Sequence, residues 1–102
     1  MKLLIITAIQ AFQGEVKKLL KEAEVVTYSY KEVIGYRDST MDSIENNWFG
    51  SEMNENESVL FYAFIKKEKV DVFFNLVEKF NTERESKSII HVASINIEKT
   101  NS

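Results

Sequence analysis

The stretch RDSTMDSIENNWFGSEMNENE, residues 37–57, decides the organisation of this chain because it separates two segments with the same order of elements. It shows neither a helical nor a strand period, and it contains six acidic residues against a single base, Arg37. A connection of about 20 residues without regular structure is uncommon in a compact domain and usually indicates function or disorder. We therefore interpret residues 37–57 as a functional loop and the flanking segments as its platform.

Each flanking segment has the pattern strand, helix, strand. Runs of β-branched and aliphatic residues predict the strands, and apolar residues at helical spacing predict the helices. The predicted elements are a strand at 2–9, a helix at 12–23, a strand at 25–36, a strand at 59–65, a helix at 68–81 and a strand at 89–97. This order predicts one α+β domain over residues 1–102, a ferredoxin-like βαββαβ fold with a four-stranded antiparallel sheet and two helices on one face.

Three of the predicted strands carry apolar residues at both odd and even positions, as LLII at residues 3–6 and VLFYAFI at residues 59–65 illustrate. Strands of this type are buried on both faces. Two helices cover only one face of the sheet, so the other face is expected to contact something other than water. The simplest occupant is another copy of the chain, and the pattern therefore predicts a homo-oligomer.

The composition excludes several classes of function. A net charge of −3 and a pI near 5.2 provide no basic surface for nucleic acid or for an anionic membrane. The chain contains no cysteine, which excludes disulfides, thiolate metal sites and cysteine nucleophiles. The apolar run at the N-terminus ends after about eight residues, too few for a signal peptide or a membrane span. We expect a cytoplasmic protein that does not insert into membranes.

Three short motifs follow one another in an order found in a known family. IQAF at residues 9–12 follows the first strand, EV at 15–16 begins the first helix, and EVIGY at 32–36 ends the second strand. Together with the long loop at 37–57, these motifs resemble the PII-like signalling proteins, and the resemblance covers essentially the whole chain. It implies a homotrimer whose sheets face inward, with residues 37–57 as the partner-contacting T-loop.

The resemblance also implies a regulatory function. PII-like proteins sense a small ligand or ion in clefts between subunits and control a partner, which by analogy is a membrane transporter, including metal-efflux systems, or an enzyme. The residues of this chain that match the ligand cleft are Gly35, Tyr36, Arg37, Arg84 and Lys87. The sequence identifies neither the effector nor a cofactor.

The loop contains one adjacent aromatic pair, Trp48 and Phe49, with Glu45 and Glu52 close in sequence. Tryptophan is enriched among residues that anchor partners, so these four residues are the predicted partner-binding set. The alternative is that the aromatic pair folds back and holds the loop against its own trimer. Both interpretations remain open at the level of the sequence.

One segment departs from the family pattern. PII proteins bind ATP or ADP with a glycine-rich, basic loop before the fourth strand, whereas the corresponding segment here, TERESK at 82–87, contains no glycine. Glycine allows backbone N–H groups to approach phosphates closely, and bulky acidic residues hinder that approach. The loop at 37–57 also lacks the tyrosine that some PII proteins present for nucleotidylation. We therefore expect weak or no ATP binding.

The single histidine, His91, lies in the last predicted strand. In a trimer, three copies could converge on a divalent metal, and a CutA-like metal-binding trimer is the alternative function. A lone strand histidine is more often an interface or core residue. The sequence contains no Ser-His-Asp arrangement, HExxH, P-loop or GxGxxG motif, so we predict that the protein is not an enzyme.

Overall fold

The computed structural model describes residues 1–36, 55–84 and 87–101. Its elements are β1 (Lys2–Ile9), a short 3-10 turn (Gln10–Phe12), α1 (Gln13–Glu22), β2 (Tyr28–Tyr36), β3 (Glu55–Ile65), α2 (Lys67–Thr82) and β4 (His91–Asn96). Neither of the helices within these ranges has the length and apolar character needed to cross a membrane.

The four strands form one antiparallel sheet in the order β2-β3-β1-β4. The first strand of each half is central and the second is at an edge, so the two halves interleave. Leu4 on β1, for example, lies opposite Ala63 on β3 and opposite Ser94 on β4. The predicted α+β, ferredoxin-like βαββαβ fold is confirmed.

Both helices pack on the same face of the sheet because alternate strand residues and the apolar stripes of the helices form one buried cluster. From the sheet it includes Leu4, Ile6 and Phe61, all with no exposed surface. From the helices it includes Leu20 and Phe73, also with no exposed surface. Full burial of a side chain of this size stabilises the fold by about 1.5–3 kcal/mol. These residues therefore hold the helical layer to the sheet.

The other face of the sheet, which we call the open face, carries the remaining strand residues. Two rows of paired residues at one end of this face are apolar: Phe64, Leu3 and Ile95 form one, and Tyr62, Ile5 and Ala93 form the next. In a single chain Tyr62, Phe64 and Ile95 are 45%, 53% and 46% exposed. The predicted two-sided apolar character of these strands is confirmed. Towards the other end the open face becomes more polar, with Thr7 and Ser58 both buried.

The predicted element boundaries differ from the structure at the second strand. It begins at Tyr28 rather than at residue 25, because the end of α1 closes on itself. The N–H of Val25 donates to the carbonyl of Leu20 at 2.8 Å, and Glu24 adopts a left-handed conformation with φ of 63°. This is the geometry of a Schellman helix end. Val25 is buried, so its apolar character reflects the core rather than a strand.

The third and fourth strands also differ from their predicted limits. β3 begins at Glu55, so residues 55–57 of the predicted loop are strand, paired with residues 34–36 of β2. The polar side chains of residues 55–57 did not indicate a strand. They can nevertheless form one, because pairing with β2 requires only backbone groups. β4 is limited to His91–Asn96. The preceding Ile90 has its backbone groups bound by a side chain of α2 and does not continue the ladder.

Candidate functional site

The C-terminal ends of β1 and β2 and the N-terminal ends of β3 and β4 lie at one end of the sheet. We call it the loop end, defined by Ile9, Tyr36, Glu55 and His91. The described candidates Gly35, Tyr36 and His91 lie at these strand termini. Among the described residues, antiparallel pairing therefore places the end of β2 with Gly35 and Tyr36, and the start of β4 with His91, at the same end of the sheet.

On the β2 side of the loop end, Gly35 is buried opposite Asn56, and Tyr36 is 61% exposed. The side-chain amide of Gln10 donates to the carboxylate of Glu32 and ties the 3-10 turn to β2. Beside this contact lies a cavity of about 230 Å³. Its lining residues are Gln10, Glu32, Val33, Ile34, Glu57 and Ser58. With two carboxylates at its rim, this cavity favours a cation or a hydrogen-bond donor over a phosphate.

On the β4 side, the end of α2 is joined to the start of β4 by a side chain. The Nδ2 of Asn81 donates to the carbonyl of Ile90 at 2.9 Å, and the N–H of Ile90 donates to the Oδ1 of Asn81, also at 2.9 Å. Ile90 is only 2% exposed, so its backbone groups have little access to water. The amide of Asn81 therefore replaces the neighbouring strand that Ile90 lacks.

Arg84 lies against an aromatic pair. The rings of Phe12 and Phe80 meet edge to face, with centroids 5.2 Å apart and an interplanar angle of 83°. The guanidinium carbon of Arg84 is 4.8 Å from the centroid of each ring, within the range of cation–π attraction. Arg84 and Lys87 are both exposed side chains of the segment that leads into β4. Together they place two cationic residues on this side of the loop end.

The two groups of predicted ligand residues belong to different parts of the fold. Gly35 and Tyr36 end β2 at one edge of the sheet, whereas Arg84 and Lys87 lie in the segment between α2 and β4. The guanidinium of Arg84 lies beside Phe12, in the turn that follows the central strand β1. A ligand that contacts both groups would therefore bridge the end of β2 and the segment before β4.

His91 is half-buried at the start of β4, on the open face and opposite Thr7. Burial lowers the pKa of His91 below its ordinary value, so the imidazole is neutral at pH 7. The neutral ring is the form that binds metal ions. In the part of the chain that the structure describes, no group of three or more potential metal ligands occurs. A metal site at His91 stays a prediction.

The remaining predicted site residues lie outside the described residues. They are Arg37 of the ligand cleft and the partner-binding set Glu45, Trp48, Phe49 and Glu52. The roles assigned to them stay predictions.

Sequence reasoning missed two features of the β4 side, the Asn81 contact and the stacking of Arg84. A signal for the first was present. Apolar residues at 73 and 77 continue at helical spacing to residue 81, where the sequence has asparagine. A polar side chain on the buried side of a helix requires a hydrogen-bond partner, and here that partner is Ile90. The contact of Arg84 with Phe12 has no comparable signal, because these two residues come from distant parts of the chain; Phe80, by contrast, precedes Arg84 at the i, i+4 spacing of helical neighbours.

The topology, the two helices on one face and the long connection between β2 and β3 together define the PII-like variant of the ferredoxin fold. Comparison with solved structures supports this class over nearly the full length of the chain. No family model matches the sequence, and no curated protein matches it.

Two solved proteins illustrate the likeness. CPII from Thiomonas intermedia K12, a nitrogen regulatory PII-like protein, was solved bound to ADP, AMP and bicarbonate; it is 20% identical, with a TM-score of 0.64 over 97% of this chain and 93% of that chain. A DUF3240 family protein from Shewanella baltica OS155 is 12% identical, with a TM-score of 0.67 over 99% of this chain and 93% of that chain. At these identities the likeness establishes the fold of this chain.

Proposed function

We propose that this chain is a PII-like regulatory protein that forms a homotrimer, senses a small anionic ligand at the loop end and controls a partner through residues 37–57. The observation that carries the proposal is the combination of the PII-like fold with an open face that is apolar at one end. Exposed side chains such as Phe64 and Ile95 are costly to leave in water, and burial between copies relieves that cost. The proposed role is regulatory rather than enzymatic.

An anionic effector is supported by two cationic residues, Arg84 and Lys87, beside β4. The ligands bound to the structurally similar CPII, namely ADP, AMP and bicarbonate, are all anions. A long polyphosphate is disfavoured because the segment at 82–87 has no glycine with which to surround it. The shared chemistry that we propose is an oxyanion: bicarbonate, a carboxylate or a single phosphate group.

The proposed output is the acidic segment 37–57, with Trp48 and Phe49 as the partner anchors. Its excess of carboxylates would attract a basic surface on the partner, and the aromatic pair would supply most of the affinity. A membrane transporter is the favoured partner, an enzyme the second. Nothing in the described part of the chain favours the CutA-like, metal-binding alternative.

Three measurements test the proposal. Light scattering of the purified protein should give a mass three times that of the chain, and a monomer at micromolar concentration would contradict the trimer. Calorimetry with bicarbonate, AMP and ADP, each alone and in pairs, should show saturable binding of at least one anion. Binding of a divalent metal at one ion per trimer, lost in His91→Ala, would favour the metal-binding alternative instead.

A further inference from the structure

The contact between Asn81 and Ile90 ties the end of α2 to the start of β4. It joins two residues that are nine positions apart, one in the last turn of α2 and one directly before β4. Both backbone groups of Ile90 are bound at 2.9 Å by one amide, which fixes the orientation as well as the position of the returning chain. Aspartate or leucine of the same size could not form both bonds, because one lacks the donor and the other lacks both groups.

Arg84, which lies between these two anchor points in the sequence, is held by a different contact. Its guanidinium carbon is 4.8 Å from the centroids of two rings that are nearly perpendicular to each other. Among the described residues, the guanidinium of Arg84 contacts these two aromatic rings. The planar fork matches a carboxylate, bicarbonate or phosphate through two parallel hydrogen bonds.

We propose that Asn81 is a positioning residue for the anion site: by fixing Ile90 it holds the start of β4 close to the end of α2, and so keeps Arg84 beside the Phe12–Phe80 pair. This inference rests on the proposed function for the identity of the ligand, but the positioning itself is a property of the free protein. Preorganisation of this kind raises affinity because the ligand does not have to order the segment.

The free protein provides the first test. The Nε–H of Arg84 should show a ring-current shift in ¹⁵N-resolved NMR spectra, since the guanidinium carbon lies 4.8 Å from the centroids of two aromatic rings. Phe80→Leu removes one ring and should move this resonance, which would show that the shift comes from the aromatic pair. Asn81→Asp keeps the acceptor for the Ile90 N–H and loses the donor; it should also move the resonance and increase hydrogen exchange of the Ile90 amide at least tenfold.

Thr82→Ala is the matched control. Thr82 is exposed in the same turn, and its hydroxyl donates only to the carbonyl of Lys79 within α2, at 3.1 Å. We expect this variant to leave both the Arg84 resonance and the Ile90 exchange rate as in the wild type. Equal behaviour of Asn81→Asp and Thr82→Ala would overturn the proposal. So would a wild-type Ile90 amide that exchanges as fast as an exposed amide, an outcome that does not depend on whether the variant folds.

The second test uses ligands. The wild type is titrated with bicarbonate and, separately, with ADP. At least one of the two should shift the Arg84 resonance saturably. Comparison of the two titrations shows whether the site prefers a free oxyanion or a nucleotide phosphate. At a temperature where Asn81→Asp is fully folded, its dissociation constant should be at least tenfold weaker than that of Thr82→Ala. Equal affinities would overturn the positioning role. If neither anion binds the wild type, the proposed anion function fails. The measurements on the free protein still decide whether Asn81 positions Arg84.

Discussion

Phe64→Glu tests whether the open face is an interface between copies. Phe64 is 53% exposed in a single chain and lies beside Leu3 in one of the apolar rows. The core is on the other side of the sheet, so the substitution should leave the isolated chain folded and destabilise it by about 1 kcal/mol. Its effect should fall on assembly instead.

The expected size of that effect follows from the exposed area. An aromatic side chain has about 200 Å² of surface to bury, so about 100 Å² of Phe64 remains for an interface. At about 25 cal/mol per Å², this contributes about 2.5 kcal/mol per copy and about 7.5 kcal/mol for three copies. A glutamate at the same position loses this contribution and adds a charge that is costly to bury. Dissociation at micromolar concentration is the expected result.

The assay is light scattering coupled to size exclusion, with circular dichroism to verify the fold. Val72→Glu is the control, because Val72 is 41% exposed on α2 and lies away from the open face. We expect Val72→Glu to keep the mass of the wild type and Phe64→Glu to elute as a folded monomer. The reasoning is refuted if Phe64→Glu retains the mass of the wild type, or if both variants dissociate equally.

Three further predictions concern the loop, His91 and the nucleotide. Replacement of Trp48 and Phe49 by alanine should abolish capture of the protein partner and leave mass and melting temperature unchanged; early melting would show instead that the pair holds the oligomer together. Because burial lowers the pKa of His91 below its ordinary value of 6.5, the unfolded state binds the proton first, and stability should fall as pH decreases below about 6.5. Urea unfolding at pH 7.5 and 5.5 should show a smaller pH effect in His91→Gln than in the wild type, and parallel curves would contradict this assignment. Calorimetry should give weak or no binding of ATP, since the segment at 82–87 lacks glycine, and a low-micromolar dissociation constant would show that this segment accommodates polyphosphate in another way.

The sequence predicted which residues belong to the candidate site, but not how far apart they lie. The motifs around residues 9–12 and 32–36 indicated which positions belong to a ligand cleft, but they contain no information about distance. The structure places Gly35 and Tyr36 at the end of β2, an edge strand, and Arg84 beside Phe12 in the turn after β1. These positions follow from the strand order and from contacts between distant segments. The role of these residues as a ligand cleft stays a prediction.

The sequence by itself determined the fold class, the two-sided apolar strands and the division of the chain by the segment at 37–57, because the periods of 2 and 3.6 residues that reveal strands and helices are local properties. It placed strand ends incorrectly at residues 25, 59 and 89, where backbone pairing or core contacts outweighed side-chain composition. Only the tertiary structure decided that Asn81 binds the backbone of Ile90 and that Arg84 stacks on Phe12 and Phe80. The helical pattern indicates that Asn81 needs a partner but not which one, and the contact between Arg84 and Phe12 joins segments about 70 residues apart, which no local pattern encodes.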